Sequence, residues 1–129
     1  MKTLRLMAML ALAAGFAACG PQVQQFPNVP DELVGQWHTS NLRYADRYFE
    51  LQRNSVLFAT GEENAPRQPV LSVEYRREEG RALYTVFYTG QDGTRQSLSF
   101  FLDNDELRFK NQSDIIWKKH IVLSELTTP

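Results

Sequence analysis

The chain has a single cysteine, at position 19, among its 129 residues. One cysteine excludes any disulfide within the chain, so the fold must be stabilised by its apolar core. The sequence also lacks a block of Lys or Arg. Its 14 basic and 15 acidic residues are interspersed, which argues against a nucleic-acid-binding surface. At this length, the chain has room for one domain of ordinary size.

The longest apolar run lies at the amino terminus and is short. Lys2 and Arg5 precede residues 6–18, which are too few to cross a membrane as a stable helix. A positive start, a short apolar centre and small residues at its end are typical of an export signal. We therefore predict that residues 1–18 are a signal peptide, cleaved from the mature protein.

The end of this run, Phe16-Ala17-Ala18-Cys19, resembles the lipobox of bacterial lipoproteins, where an apolar residue and two small residues precede an obligatory cysteine. The resemblance implies that the Cys19 thiol receives a diacylglycerol and that the signal is cut just before this residue. Two or three acyl chains hold a small protein in a bilayer, whereas one binds only marginally. Gly20, rather than Asp, follows the cysteine, which in this family implies the outer membrane. We expect the domain to face the periplasm, with the cell exterior as the alternative. The alternative interpretations are a buried apolar cysteine and a free thiol.

The mature chain is predicted to have a tether and one domain. Removal of the signal takes away Lys2 and Arg5 and leaves 12 basic residues against 15 acidic ones. Residues 19–31 contain Pro and Gln with little apolar periodicity, which predicts a lipidated cysteine and a flexible tether. A single β domain is predicted over residues 32–129.

From residue 33 onward, short apolar runs of period two alternate with Gly, Asn and Asp. The predicted strands cover residues 33–39, 47–52, 55–60, 70–77, 82–89, 95–102, 106–110 and 114–119. Tight turns favour antiparallel neighbours, and closure is the economical way to remove the two edges of such a meander. We therefore predict an all-β, up-and-down meander of about eight strands in a small barrel. Residues 121–126 are the remaining candidate for a helix.

The first predicted strand carries Gly35-Gln36-Trp37, which resembles the Gly-x-Trp motif that opens lipocalin and lipocalin-like barrels. The resemblance implies that Gly35 lets the chain bend at the base of the barrel and that Trp37 plugs this end. It also implies a basic residue covering the Trp, for which Arg108 and Lys119 are the candidates. Lipocalins bind small apolar ligands, so a ligand of this class is one expectation.

Aromatic side chains occupy both faces of two predicted strands. Leu98, Phe100 and Leu102 are predicted to face inward, as are Ile115 and Trp117, and Leu71, Val73 and Tyr75 to share one face. Tyr84 and Tyr88 oppose Phe87, and Phe101 opposes Phe100, so some rings must lie outside. We predict that Tyr84, Tyr88 and Phe101 are such rings and form an apolar patch that contacts a partner, a ligand or a membrane. On this hypothesis, replacing Tyr84 and Tyr88 with Ser leaves the thermal stability of the domain nearly unchanged. If these tyrosines instead belong to the core, the same replacement lowers its thermal stability.

No motif in the sequence points to catalysis. His38 and His120 lie outside any metal-spaced cluster, and no serine sits in a nucleophile elbow. Asp103-Asn104-Asp105-Glu106 lacks the glycine and flanking helices of a calcium loop and is interpreted as a turn. We expect no catalytic residue, no metal, no cofactor and no enzymatic activity.

Two function classes remain. The first is a non-enzymatic interaction or structural module of the cell envelope, held by its lipid anchor and facing another envelope protein. The second is a lipocalin-like binder of a small apolar ligand or lipid. A ligand cavity would favour the second.

Overall fold

The computed structural model describes residues 22–61 and 65–120, which form one nine-stranded sheet. Its strands are β1 Gln24–Phe26, β2 Gly35–Thr39, β3 Tyr48–Gln52, β4 Ser55–Ala59, β5 Arg67–Glu78, β6 Arg81–Thr89, β7 Arg95–Asp103, β8 Glu106–Phe109 and β9 Gln112–Lys119. The helical elements of this described part are two 3₁₀ helices, Asp31–Leu33 and Leu42–Tyr44. Within it, no helix has the length and apolar character needed to span a bilayer.

Strands β2 to β9 close into an eight-stranded barrel. Each pairs antiparallel with the next strand along the chain. Strand β9 then pairs with β2, with Trp37 opposite Lys119 and Thr39 opposite Trp117. The predicted fold class, an all-β up-and-down meander in a small lipocalin-like barrel, is confirmed. Each of the eight predicted strands is present, with its ends within three residues of the predicted ones.

Tight turns join alternate strands at one end of the barrel. Glu79 and Gly80 have φ angles of 54° and 78°, and Asn104 and Asp105 have φ angles of 49° and 68°. Positive φ at both central residues is the type I′ geometry, whose twist matches that of paired strands. Residues 103–106 therefore form a two-residue hairpin turn, as predicted.

The two ends of the barrel differ in what covers them. The closed end carries the turns at residues 53–54, 79–80 and 104–105, and residues 27–34 cross it before β2 begins. The open end carries the loops at residues 40–47 and 90–94, the described loop residues 60–61 and 65–66, and the turn at 110–111. Within the described segments, the open end has no comparable crossing strand or helix.

The prediction of a flexible tether over residues 19–31 is wrong for residues 22–31, which the structure describes. Strand β1 pairs with β5, placing Gln24 opposite Tyr75 and Phe26 opposite Val73. Val29 is buried, and its backbone N–H donates to the carbonyl of Arg53 over 2.9 Å. The reason is tertiary: β5 extends well beyond the shorter β4 and leaves an unpaired edge, which β1 covers. The ordered domain thus begins earlier than residue 32.

Large side chains fill the barrel interior. The largest fully buried ones are Trp37, Phe100, Leu33, Leu51, Leu107, Val56, Val73 and Val86. Leu98, Leu102, Ile115 and Trp117 also pack into this core, as predicted. An eight-stranded barrel is just wide enough to be filled by side chains or to hold one small ligand, and here these side chains occupy most of the interior.

Two predictions about strand faces are wrong. A β-bulge between Val70 and Ser72 turns Leu71 outward, where it is 50% exposed, while Val73 stays fully buried. Tyr84 points into the core, 5% exposed, with its ring 6.0 Å from that of Phe100. The extra residue of the bulge reverses the alternation of faces within β5, which period two alone does not reveal. Strand β6 pairs with β7 without a register shift, and its inward face is the one that carries Tyr84 and Val86.

The Gly-x-Trp motif lies at the closed end. The indole N–H of Trp37 donates to the carbonyl of Leu33 over 3.0 Å, and the ammonium of Lys119 lies 5.4 Å from the centre of the ring. A Cβ on Gly35, whose φ is 138°, would lie 3.2 Å from the Lys119 stem. Glycine therefore leaves room for the lysine. Of the two candidate basic residues, Lys119 covers the Trp, whereas Arg108 bonds the carbonyl of Ser113.

Replacing Tyr84 with Ser should destabilise the domain by about 3 kcal/mol, because truncating a buried aromatic ring leaves a cavity. For a domain of about 100 residues, this loss lowers Tm by more than roughly 10 °C. Thermal unfolding followed by circular dichroism measures it. Phe87→Ser is the matched control, since Phe87 lies on the outer face of the same strand beneath Arg95. Equal losses in the two variants would contradict the inward placement of Tyr84.

Candidate functional site

A cleft of about 340 Å³ opens between the loops at the open end; we call it the mouth cleft. Its wall is mainly aromatic, with polar side chains at the rim. The lining residues are Tyr44, Arg47, Tyr48, Phe49, Phe58, Ala59, Thr60, Leu98, Phe109, Asn111, Gln112 and Trp117. Pockets for small molecules are mostly apolar with a few polar groups, and their volumes begin at about 300 Å³. The mouth cleft has the size and lining of a small ligand site.

Three rings brought together from separate strands form the floor of the mouth cleft. Phe49 of β3, Phe109 of β8 and Trp117 of β9 have ring centres 5.2 to 5.7 Å apart and meet at tilted or edge-on angles. Aromatic pairs favour such geometries. Beneath them, Trp37 stacks on Phe49 at 6.3 Å. The packed core therefore ends at these rings, and the cleft begins above them.

Tyr44 forms one side of the mouth cleft from the 3₁₀ helix in the β2–β3 loop. The side chain of Asn41 caps this helix by accepting a hydrogen bond from the Arg43 N–H over 2.9 Å. The amide of Gln112 donates to the Tyr44 hydroxyl oxygen over 2.9 Å. The Tyr44 ring is thus held 5.8 Å from that of Trp117. A loop side chain in this position narrows the entrance without filling the cleft.

The indole N–H of Trp117 is a donor without a partner. Among the described residues, it is the single buried side-chain nitrogen or oxygen that makes no hydrogen bond, and the whole side chain is 5% exposed. An unpaired buried donor costs about 1–3 kcal/mol. Trp117 therefore lines the mouth cleft with its ring and carries one unused donor that is buried beside the cleft.

A second depression, of about 490 Å³, lies at the closed end. Its lining is more polar and includes Gln24, Glu32, Tyr84, Asn104 and Asp105. The Tyr84 hydroxyl donates to the Glu32 carboxylate. Burial, together with this hydrogen bond and the Glu32 charge, raises the pKa of Tyr84 above its ordinary value. One polar contact of this depression, between Tyr84 and Glu32, is thus already made within the chain.

The three aromatic residues predicted for a common outer patch do not form one. Tyr84 is in the core, and Tyr88 packs against the core with its ring 5.7 Å from Phe58. Phe101 lies on the outer face, but the Arg81 guanidinium covers its ring at 3.8 Å and leaves it 7% exposed. The predicted patch at Tyr84, Tyr88 and Phe101 is therefore wrong.

The sequence did not point to most residues of the mouth cleft. Phe58 and Phe109 fall within predicted strands, and Tyr44 within a predicted loop, but nothing local shows that they meet. Their common position at the open end is one signal that was available: each lies close to a connection on the same side of the meander. Strand order and barrel closure were needed to bring them together.

Cys19 lies outside the described residues, as does the predicted helix over residues 121–126. The described histidines are neighbours: the rings of His38 and His120 are 4.9 Å apart, and His38 stacks on Tyr48 at 4.7 Å. Burial and the nearby His120 lower the pKa of His38. In the described segments, no three His, Cys, Asp or Glu side chains cluster as metal ligands do.

Glu50 is a buried acid that the sequence did not single out. On the outer face of β3, its carboxylate accepts hydrogen bonds from Arg67 at 2.7 Å, Gln52 at 2.8 Å and Gln36 at 3.1 Å. Burial opposes ionisation, but these hydrogen bonds and the Arg67 charge outweigh it and lower the pKa of Glu50. The cluster joins β2, β3 and the start of β5 on the outside of the barrel.

The chain matches no protein-family model, no curated protein and no solved structure. Its functional interpretation therefore rests on its own residues and on the geometry described above.

Replacing Glu50 with Gln should lower the free energy of unfolding at pH 7 by about 1 kcal/mol, since Arg67 is half exposed and solvent screens the ion pair. A carboxyl whose pKa is lowered by folding stabilises the fold above its ordinary pKa of 4.5, and this contribution is lost as pH falls through the folded value. The difference in free energy of unfolding between wild type and Glu50→Gln, called the gap below, should thus narrow from pH 7 to pH 3.

Urea unfolding at pH 7, 5, 4 and 3 measures that gap. Asp114→Asn is the control, because Asp114 is exposed and forms no ion pair with another described residue. A gap for Glu50→Gln that stayed constant down to pH 3 would show that the carboxylate charge does not stabilise the fold.

Proposed function

We propose that this chain is a lipid-anchored lipoprotein of the bacterial cell envelope that binds a small apolar ligand in its mouth cleft. The observation that carries the binding part is the aromatic cleft above a packed core. Apolar walls with few polar groups suit a ligand that is mainly hydrocarbon or aromatic. We therefore place ligand binding before the interaction module, because a cavity favours the ligand-binding class.

Anchorage is supported by the sequence. The apolar run and Phe16-Ala17-Ala18-Cys19 are what a lipoprotein signal requires. Gly20 after the cysteine favours the outer membrane, with the domain in the periplasm. Several acyl chains on Cys19 would then keep a small domain at the membrane surface.

The chemistry of the mouth cleft favours binding over catalysis. Its lining contains one charged group, Arg47, and neither a carboxylate nor an imidazole. General acid–base chemistry needs a group that gains and loses a proton near neutral pH, and nucleophilic catalysis needs a nucleophile beside a base. The lining supplies neither arrangement, so the proposed role is non-enzymatic.

A second candidate function is that of an interaction module. Leu42, in the 3₁₀ helix next to the mouth cleft, is 89% exposed, and its neighbour Arg43 is also exposed. A large apolar side chain presented in this way on a loop tip is a contact point for another envelope protein. The two functions differ in what accompanies the protein: a small molecule in the first, a polypeptide in the second.

Replacing Cys19 with Ser should release the protein from the membrane, because the hydroxyl cannot carry the thioether-linked lipid that precedes signal cleavage. In a bacterium with two membranes, membrane fractionation and gel mobility measure the result. Wild type should be found with the membranes, and Cys19→Ser should be found soluble or as an unprocessed precursor. A variant that remained membrane-bound with unchanged mobility would refute the anchor.

Thr60→Trp should block the mouth cleft, since Thr60 lines its rim with an exposed side chain. We expect binding of the apolar dye N-phenyl-1-naphthylamine to weaken at least tenfold, measured by fluorescence titration of the purified protein. Native mass spectrometry should show a co-purifying small molecule on wild type and less of it on the variant.

The matched control is Gln91→Trp, which places the same ring on an exposed loop at the open end, outside the cleft lining. It should bind the dye as wild type does, and both variants should keep the wild-type Tm. If wild type carries no small molecule and binds no dye, the interaction module becomes the better explanation.

A further inference from the structure

The chain enters the barrel at its closed end. Gln24, the first residue of β1, lies opposite Tyr75 and lines the closed-end depression together with Asn104 and Asp105 of the β7–β8 turn. The mouth cleft is lined by residues near the opposite connections, including Tyr44, Thr60 and Asn111. The amino-terminal attachment point and the mouth cleft are therefore at opposite ends of the barrel.

The connection between Cys19 and this point is short. Four residues, 20–23, lie between Cys19 and Gln24, and even fully extended the five steps from one to the other reach roughly 17 Å. Strands of eight or nine residues, tilted by about 40° as in small barrels, make a wall roughly 20 Å tall. A lipid on Cys19 could bring the mouth cleft down to the bilayer only if the connection ran, fully stretched, along the whole wall.

Pairing with β5 removes the freedom that a longer tether would give. Had residues 19–31 been flexible throughout, the twelve steps from Cys19 to Asp31 would have allowed roughly 40 Å and any orientation of the domain. Residues 24–26 pair with β5, and the Val29 N–H bonds the Arg53 carbonyl. The connection between the lipid and the ordered domain is therefore limited to the residues before Gln24. The orientation of the barrel is thus restricted by β1.

We propose that the anchored protein stands with its closed end toward the bilayer and presents the mouth cleft to the aqueous compartment. The cleft then exchanges its ligand with molecules in that compartment and not directly with the bilayer that anchors it. This inference rests on the lipid anchor proposed above. The exposed Leu42 beside the cleft stands at the same far end, where a protein that delivers or receives the ligand would meet it.

Single-cysteine labelling tests this orientation on the full-length lipidated protein. Cys19 is the only cysteine and is blocked by its lipid, so a second cysteine takes up a fluorescent maleimide selectively. Leu42→Cys places the label at the open end, and Arg53→Cys places it on an exposed turn at the closed end. Both proteins are reconstituted in phosphatidylcholine vesicles that contain a phospholipid with a nitroxide on its headgroup.

We expect the label at position 53 to be quenched at least threefold more strongly by the nitroxide lipid than the label at position 42. Iodide in solution should quench both labels, which shows that both are accessible. Equal quenching by the nitroxide lipid, or stronger quenching at position 42, would overturn the proposed orientation.

Co-flotation of each labelled protein with the vesicles reports the anchor separately. If the proteins fail to float, the lipid anchor itself is wrong, and the orientation falls with it. Native mass spectrometry of the same proteins before reconstitution reports a small molecule in the mouth cleft and does not depend on either result.

Discussion

The ladder between β9 and β2 is the contact on which the rest of the structure depends. It joins positions more than seventy residues apart, and the entropy of closing so long a loop must be offset by the pairing and by the core behind it. The same ladder lays Lys119 over Trp37 and brings Trp117 beside Phe49. One set of strand pairs thus closes the barrel, covers its closed end and completes the floor of the mouth cleft.

The difference between the two ends of the barrel arises from the amino-terminal segment. Val29 and Leu33 are buried where this segment crosses the closed end, and Trp37 donates its N–H to the Leu33 carbonyl. Protein interiors tolerate few voids, so the apolar space at this end is taken up by the chain itself. No described segment crosses the open end in this way, and the mouth cleft remains between its loops.

Most of the fold could be predicted because its signals are local. Alternation of apolar side chains and the turn residues at 79–80 and 104–105 are properties of neighbouring residues, and they located all eight barrel strands. The strand β1 could not be predicted in this way. Its three residues have little apolar character, and they are ordered because β5 is longer than β4 and offers them an unpaired edge. Leu71 is exposed for a similar reason, since the bulge beside it is visible only in the pairing with β6.

The candidate site shows the same division. The sequence by itself determined the strands, the order in which they occur and the Gly-x-Trp motif at the first of them, because these depend on side-chain alternation and backbone preference within a few residues. The lipobox-like stretch that ends at Cys19 stays a prediction from the sequence. The tertiary structure alone decided which aromatic side chains face inward, which basic residue covers Trp37 and which rings meet around the mouth cleft. These outcomes depend on register and closure, and a register shift of one residue exchanges the two faces of a strand.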